Sequence, residues 1–179
     1  MARIFFVESF KINRKQLLVG ILCLLLGTME YLVSRPIGST YFLNKFKSIQ
    51  SILHHFPNLY GKLGMFAPEF FHPLAMSLMS MAFFSSRKSK IIVCLAWLGV
   101  DSIFELSQRY AIHLIKYLPK WFETVPILEN LDNYLFNGRF DIYDLVAIGL
   151  GSSTAFFIGE PLSKKGGIDE RGYSEPKSF

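Results

Sequence analysis

The residues that could do chemistry stand inside or at the ends of the most apolar stretches of this chain. They are Glu30, then Glu69 and His72, then Asp101, Glu105 and Gln108, then Asp141 and Asp144, with Arg109 and Arg139 flanking the last two apolar stretches. An ionised side chain in hydrocarbon costs roughly 2.5–3.5 kcal/mol on insertion scales, so each one needs a proton, a cation or a partner. Asp101, Glu105 and Gln108 are four and three residues apart and share one helical face. Two carboxylates one turn apart in a low dielectric repel, and an arginine fork can relieve them. The spacing therefore suggests that Glu105 and Asp144 face each other, with Arg139 or Arg109 between them. Such a cluster could bind a ligand, could hold helices together, or, with His72, could move a proton.

The plainer readings are specific. Asp141 before Ile142, with Asp144 three residues on, has the pattern of a helix N-cap with an acidic first turn. Glu30 and Glu69 suit a headgroup region, and His72 before Pro73 suits an interface. No nucleophile motif and no metal-ligand spacing accompany the carboxylates, so no catalytic residue, metal or cofactor is assigned.

These residues need helices in a membrane to position them. The 179 residues are 51% hydrophobic and 18% charged, against about 25% charged in an ordinary soluble domain. Four apolar runs emerge, at 17–33, 68–84, 91–108 and 142–158. A backbone in the bilayer must bond internally, which makes the runs helices. The expected fold is all-α: one membrane domain of about four transmembrane helices over 1–160, followed by a polar cytoplasmic tail over 161–179. Placing the N-terminus inside puts 11 Lys and Arg on the inner segments and 8 on the outer, with the tight SSRKSK turn inside. On this topology the polar residues of all four runs fall in the outer half.

In the first outer loop Phe42, Phe46, Ile49, Leu53 and Phe56 recur at helical steps, and Tyr110 to Trp121 opens the second in similar style. Both are expected to be amphipathic interfacial helices. On the fourth run Ala147, Gly151 and Ala155 form a stripe of small residues, which permits close approach and points to the third run as its partner. Cys23 and Cys94 lie in apolar runs and behave as small hydrophobes. The net charge of +5 is spread over flanks and loops without a basic stripe, which excludes nucleic acid and leaves membrane lipids as the partner. A larger membrane complex or a homo-oligomer is the further partner class, served by the loops and intramembrane carboxylates.

The segment FELSQ, followed by NGRFDIYDLVAIGLG, resembles the VanZ-like family of small membrane proteins. That family shows a Glu-x-x-Gln-like pair, here Glu105 and Gln108, then Arg-x-x-Asp-x-x-Asp and a Gly-rich span. The last two are represented here by Arg139, Asp141 and Asp144, with Asp141 one position closer to the arginine, and by Gly149 and Gly151. FFHPLAMSLM is similar to the family's second span, with His72 near its outer start; Ile148 stands where the family has an Asn. The family is named for a protein linked to low-level teicoplanin resistance. The resemblance implies a non-enzymatic protein of the bacterial inner membrane, with cytoplasmic termini. It also implies an outward-facing polar site, fit for an envelope lipid or glycoconjugate, carried by His72, Glu105, Gln108, Arg139, Asp141 and Asp144; Asp101 and Arg109 join this cluster by their spacing and position alone. An accessory subunit of a larger complex is the alternative, and a membrane enzyme on a lipid-linked substrate ranks last.

Overall fold

A computed structural model describes residues 12–34, 61–125, 128–129 and 131–165. Every regular element among them is helical. Helix α1 (Arg14–Ser34) is followed by a 3-10 turn (Gly61–Met65), α2 (Ala67–Met81) and α3 (Arg87–Arg109). After these come the short α4 (Ala111–Leu114), 3-10 turns at Ile115–Tyr117 and Lys120–Thr124, α5 (Leu131–Asn137) and α6 (Ile142–Lys165).

Among the described residues, three helices are long and apolar enough to cross a membrane. Their apolar stretches, Arg14–Val33, Arg87–Arg109 and Ile142–Leu162, hold 20, 23 and 21 residues. At 1.5 Å per residue each reaches about 30 Å, the thickness of a bilayer's hydrocarbon core. Their outward faces carry a belt of exposed Leu18, Leu22 and Leu25, Ile92 and Ile103, and Leu150 and Phe157. In water such a belt would drive association; against lipid tails it costs nothing. Length and belt together point to a membrane-embedded protein.

Helix α2 is the hub, packing against α1, α6 and α3. Pro68 sits in its first turn, where a missing N–H leaves no bond unmade, and Glu69 lies beside it at the positive helix end. Leu74, Leu78 and Met81 of α2 form the core with Cys94 of α3 and Ala155 of α6. Glycines set how close its neighbours come. A Cβ on Gly27 of α1 would lie 2.6 Å from Phe71 Cβ, and one on Gly151 of α6 would strike the Phe70 carbonyl and the Pro73 ring. The stripe Ala147–Gly151–Ala155 therefore packs chiefly on α2, not on α3 as its sequence suggested. Pro73 explains the preference, since its compact ring offers a surface that a bare glycine can meet.

At the opposite end from Glu69, Asn13 joins three helices. Its backbone N–H donates to the Ala82 carbonyl at 3.0 Å, and its side-chain amide donates to the Leu162 carbonyl at 3.3 Å. Its Oδ1 accepts from the Gln16 backbone N–H at 3.1 Å, which caps α1. Ser86 caps α3 in the same manner, accepting from the Ser89 N–H at 3.0 Å.

Two boundaries differ from the sequence expectation. Helix α6 continues through Pro161 to Lys165, so the segment assigned to the tail begins as helix. Pro161 forfeits a single backbone bond near the helix end, too little to stop it. The stretch Tyr110–Trp121 is not one amphipathic helix but α4 and two 3-10 turns, interrupted at Leu118 and Pro119. Proline at 119 has no N–H to continue a helix and pushes Leu118 to an extended ψ of 127°. The other expected interfacial helix, around Phe42 to Phe56, and the tail beyond Lys165 lie outside the described residues.

Candidate functional site

A partly open cleft of about 530 Å³ runs between the helices. Helix α2 contributes Pro68, Glu69, His72 and Pro73 to its walls, and α1 contributes Leu24, Gly27, Thr28 and Tyr31. Those four α1 residues recur at steps of three, one and three, a single helical face. Trp97, Val100, Asp101, Phe104 and Glu105 come from α3, Ile148 from α6, and Leu128 and Leu131 close one end. From Trp97 to Glu105 the wall rises about 12 Å along the helix. Leu24, Pro73 and Trp97 make the deep end apolar, while Tyr31, Glu69, Asp101 and Glu105 make the other end polar. The volume falls within the roughly 300–1,000 Å³ of small-molecule sites, which are likewise mostly apolar with a few placed polar groups.

His72 Nδ1 lies 3.1 Å from Asp101 Oδ2, joining α2 to α3 across the cleft. The carboxylate side is nearly enclosed, at 10% exposure, whereas the imidazole is half exposed, at 50%. An ionised Asp101 only accepts, so Nδ1 carries a proton and donates to Oδ2. The His72 ring also meets Trp97 edge-on, with centroids 6.1 Å apart. Trp97 in turn is anchored by its indole N–H, which donates to Ser80 Oγ at 3.0 Å.

Glu105 is buried at the cleft's end, and its oxygens serve the fold. Oε1 accepts from the Asp141 backbone N–H at 2.9 Å, and Oε2 from the Gln108 side-chain amide at 3.2 Å. It thereby fastens the end of α3 to the start of α6. Gln108 fits there because residue 138 is glycine: a Cβ at Gly138 would fall 2.6 Å from its Oε1. Asp141 caps α6, its Oδ1 accepting from the Tyr143 N–H at 2.9 Å. Asp144 is buried in the first turn of α6, where the helix end favours negative charge.

The arginines do not take the place the sequence suggested for them. Arg109 lies over the Phe140 ring at 5.4 Å and is exposed, as is Arg139. The donors described at Glu105 are a backbone N–H and an amide instead of a guanidinium. A buried carboxylate needs donors, and the Asp141 backbone N–H just before α6 and the Gln108 amide supply them without a second buried charge. Glu30 is enclosed by the protein, at 2% exposure, and Glu69 lines the cleft.

The structure thus brings His72, Asp101 and Glu105 to one cleft, sets Gln108 and Asp141 behind Glu105, and leaves Arg109 and Arg139 outside it. Sequence reasoning missed Thr28, Tyr31 and Trp97. The signal for Trp97 was present, since Trp97, Asp101 and Glu105 follow one another at steps of four. Among the described residues no group of three or more His, Cys, Asp or Glu is placed to hold a metal ion. No family model, curated protein or solved structure matches the chain.

Proposed function

We propose that this chain is a VanZ-like, four-span protein of the bacterial inner membrane that binds an envelope lipid or glycoconjugate in the α1–α2–α3 cleft. The observation that carries the reading is the cleft itself, apolar at depth and polar at one end over about half a bilayer core. An amphiphile has that same division. Helix α2 is the fourth span in this reading; together with the preceding 3-10 turn it covers Gly61–Met81 and runs antiparallel to α1. The polar end belongs to the outer leaflet, with both termini cytoplasmic, because Arg14, Lys15, Arg87 and Lys88 gather at the other end.

Mass spectrometry of the natively purified protein tests the binding. The chain should retain a defined amphiphile, and Val100→Trp, which fills the cleft, should lose it; equal retention by the two would refute the site. For orientation, single cysteines at Ser86 and Thr124 in a Cys23→Ala, Cys94→Ala background discriminate. An impermeant thiol reagent should label the second in intact cells and not the first.

The accessory-subunit reading draws on α3, whose 23 residues include only Lys90, Cys94 and Glu105 as buried ones. That leaves a long face for a partner helix, and a protein co-purifying at fixed stoichiometry would favour it. An enzyme acting through Glu105 ranks below both, because its carboxylate already serves two structural donors.

A further inference from the structure

We infer that the cleft selects a headgroup that donates hydrogen bonds and carries no anionic group: an ammonium or a polyol, not a phosphate or sulfate. The inference rests on the cleft being an amphiphile site and concerns which amphiphile it takes. It follows from the direction of the hydrogen bonds around the cleft. Thr28 Oγ1–H donates to the Leu24 carbonyl at 2.8 Å, inside its own helix. The Trp97 indole N–H is engaged by Ser80 Oγ at 3.0 Å, and the His72 Nδ1–H by Asp101 Oδ2 at 3.1 Å. These protons are therefore directed into the protein. What the same residues leave for a ligand are acceptors: the second oxygen of Asp101, the hydroxyl oxygen of Thr28 and, in the neutral Nδ1–H ring, Nε2 of His72.

A headgroup meeting those atoms has to bring the protons. An ammonium has three and a sugar several, whereas an ionised phosphate or sulfate has acceptors alone. No Lys or Arg is among the described residues lining the cleft. Arg109, one turn beyond Glu105, is turned away onto Phe140. Among the described residues, an anionic headgroup would meet carboxylates and no guanidinium or ammonium to hold it.

The test uses the full chain in phosphatidylcholine nanodiscs, with Trp121→Phe leaving Trp97 as the reporter at the deep end of the cleft. Chain-brominated dodecylamine, dodecyl glucoside and dodecyl phosphate are titrated against Trp97 fluorescence. Saturable quenching is expected from the amine, the glucoside or both, and only linear, partition-like quenching from the phosphate. Saturation by the amine alone identifies an ammonium headgroup, and saturation by the glucoside alone a polyol. Dodecyl phosphate saturating as tightly as either would overturn the inference while leaving the amphiphile site standing. Linear quenching by all three would remove the site and the inference with it.

Asp101→Asn should weaken the saturating probe about tenfold, the loss expected for one charge-assisted hydrogen bond. Brominated dodecane has no headgroup, so its quenching should stay unchanged in that variant, which shows the cleft intact. Should Asp101→Asn fail to fold, His72→Phe keeps a ring against Trp97, removes Nε2, and should show the same loss. Unchanged affinity of the amine and the glucoside in a folded variant would overturn the inference.

Discussion

Helices α2 and α3 divide the labour of this molecule unequally. Helix α2 has 15 residues and buries eight of them, Ala67, Pro68, Pro73, Leu74, Ala75, Ser77, Leu78 and Met81. Helix α3 has 23 and buries three. Yet the shorter, enclosed helix gives the cleft Glu69 and His72, and the longer, exposed one gives it Asp101, Glu105 and Trp97. In a membrane the hydrophobic effect does not draw helices together, so packing depends on shape and on close approach. The enclosed helix is where shape is decided. The peripheral one is free to carry polar groups on its inner side, because its outer side needs only to be apolar.

The largest break in that contrast should come at Gly151. Gly151→Leu places a side chain into the Phe70 carbonyl and the Pro73 ring. It should cost about 3 kcal/mol in SDS-titration unfolding or prevent accumulation of folded protein. Gly99→Leu on α3, where a Cβ meets nothing within 4 Å, should change the same midpoint little. Similar losses at the two glycines would erase the distinction between hub and periphery.

Next in size is the core. Leu78, fully buried on α2, should lose about 2–3 kcal/mol on truncation to Ala, whereas Ile103→Ala on α3, 67% exposed, should stay within about 0.5 kcal/mol. Thermal denaturation in one detergent compares the pair directly. Smaller again is the fastening of α3 to α6. Glu105→Leu removes the acceptor of the Asp141 N–H and should cost about 2 kcal/mol, while Glu105→Gln keeps an acceptor oxygen and should cost less. Amide exchange at Asp141 reads this bond by itself, and unchanged protection in Glu105→Leu would count against it. Asp141→Ala should have the least effect, about 1 kcal/mol, seen as faster exchange of the Tyr143 amide.

Much of the helical framework was legible because lipid demands it. Runs of apolar residues bounded by Arg14, Arg87 and Asp141 placed the starts of α1, α3 and α6 within a few residues. The centrality of α2 was not legible. A helix enclosed by protein and one facing lipid are equally apolar, so Leu78 at the core and Ile103 at the surface look alike in sequence. The cost argument correctly pointed to Glu105 as a carboxylate with partners. It named the wrong ones, because cost demands a donor without saying whether the donor is an arginine or a backbone N–H. Thr28 and Tyr31 were readable from the period of α1, but neither is charged, and a search for expensive residues passes over them. The capping pattern at Asp141 was local, and local patterns carry over best.

The bond from Asn13 to the Leu162 carbonyl spans 149 residues. During synthesis Asn13 emerges long before this acceptor, so the start of α1 must wait through the making of α2 and α3 without its bond to α6. The bundle can be threaded into the bilayer helix by helix, yet it cannot be latched until the last one arrives. A ribosome stalled before residue 162 would therefore leave inserted helices without their final clasp.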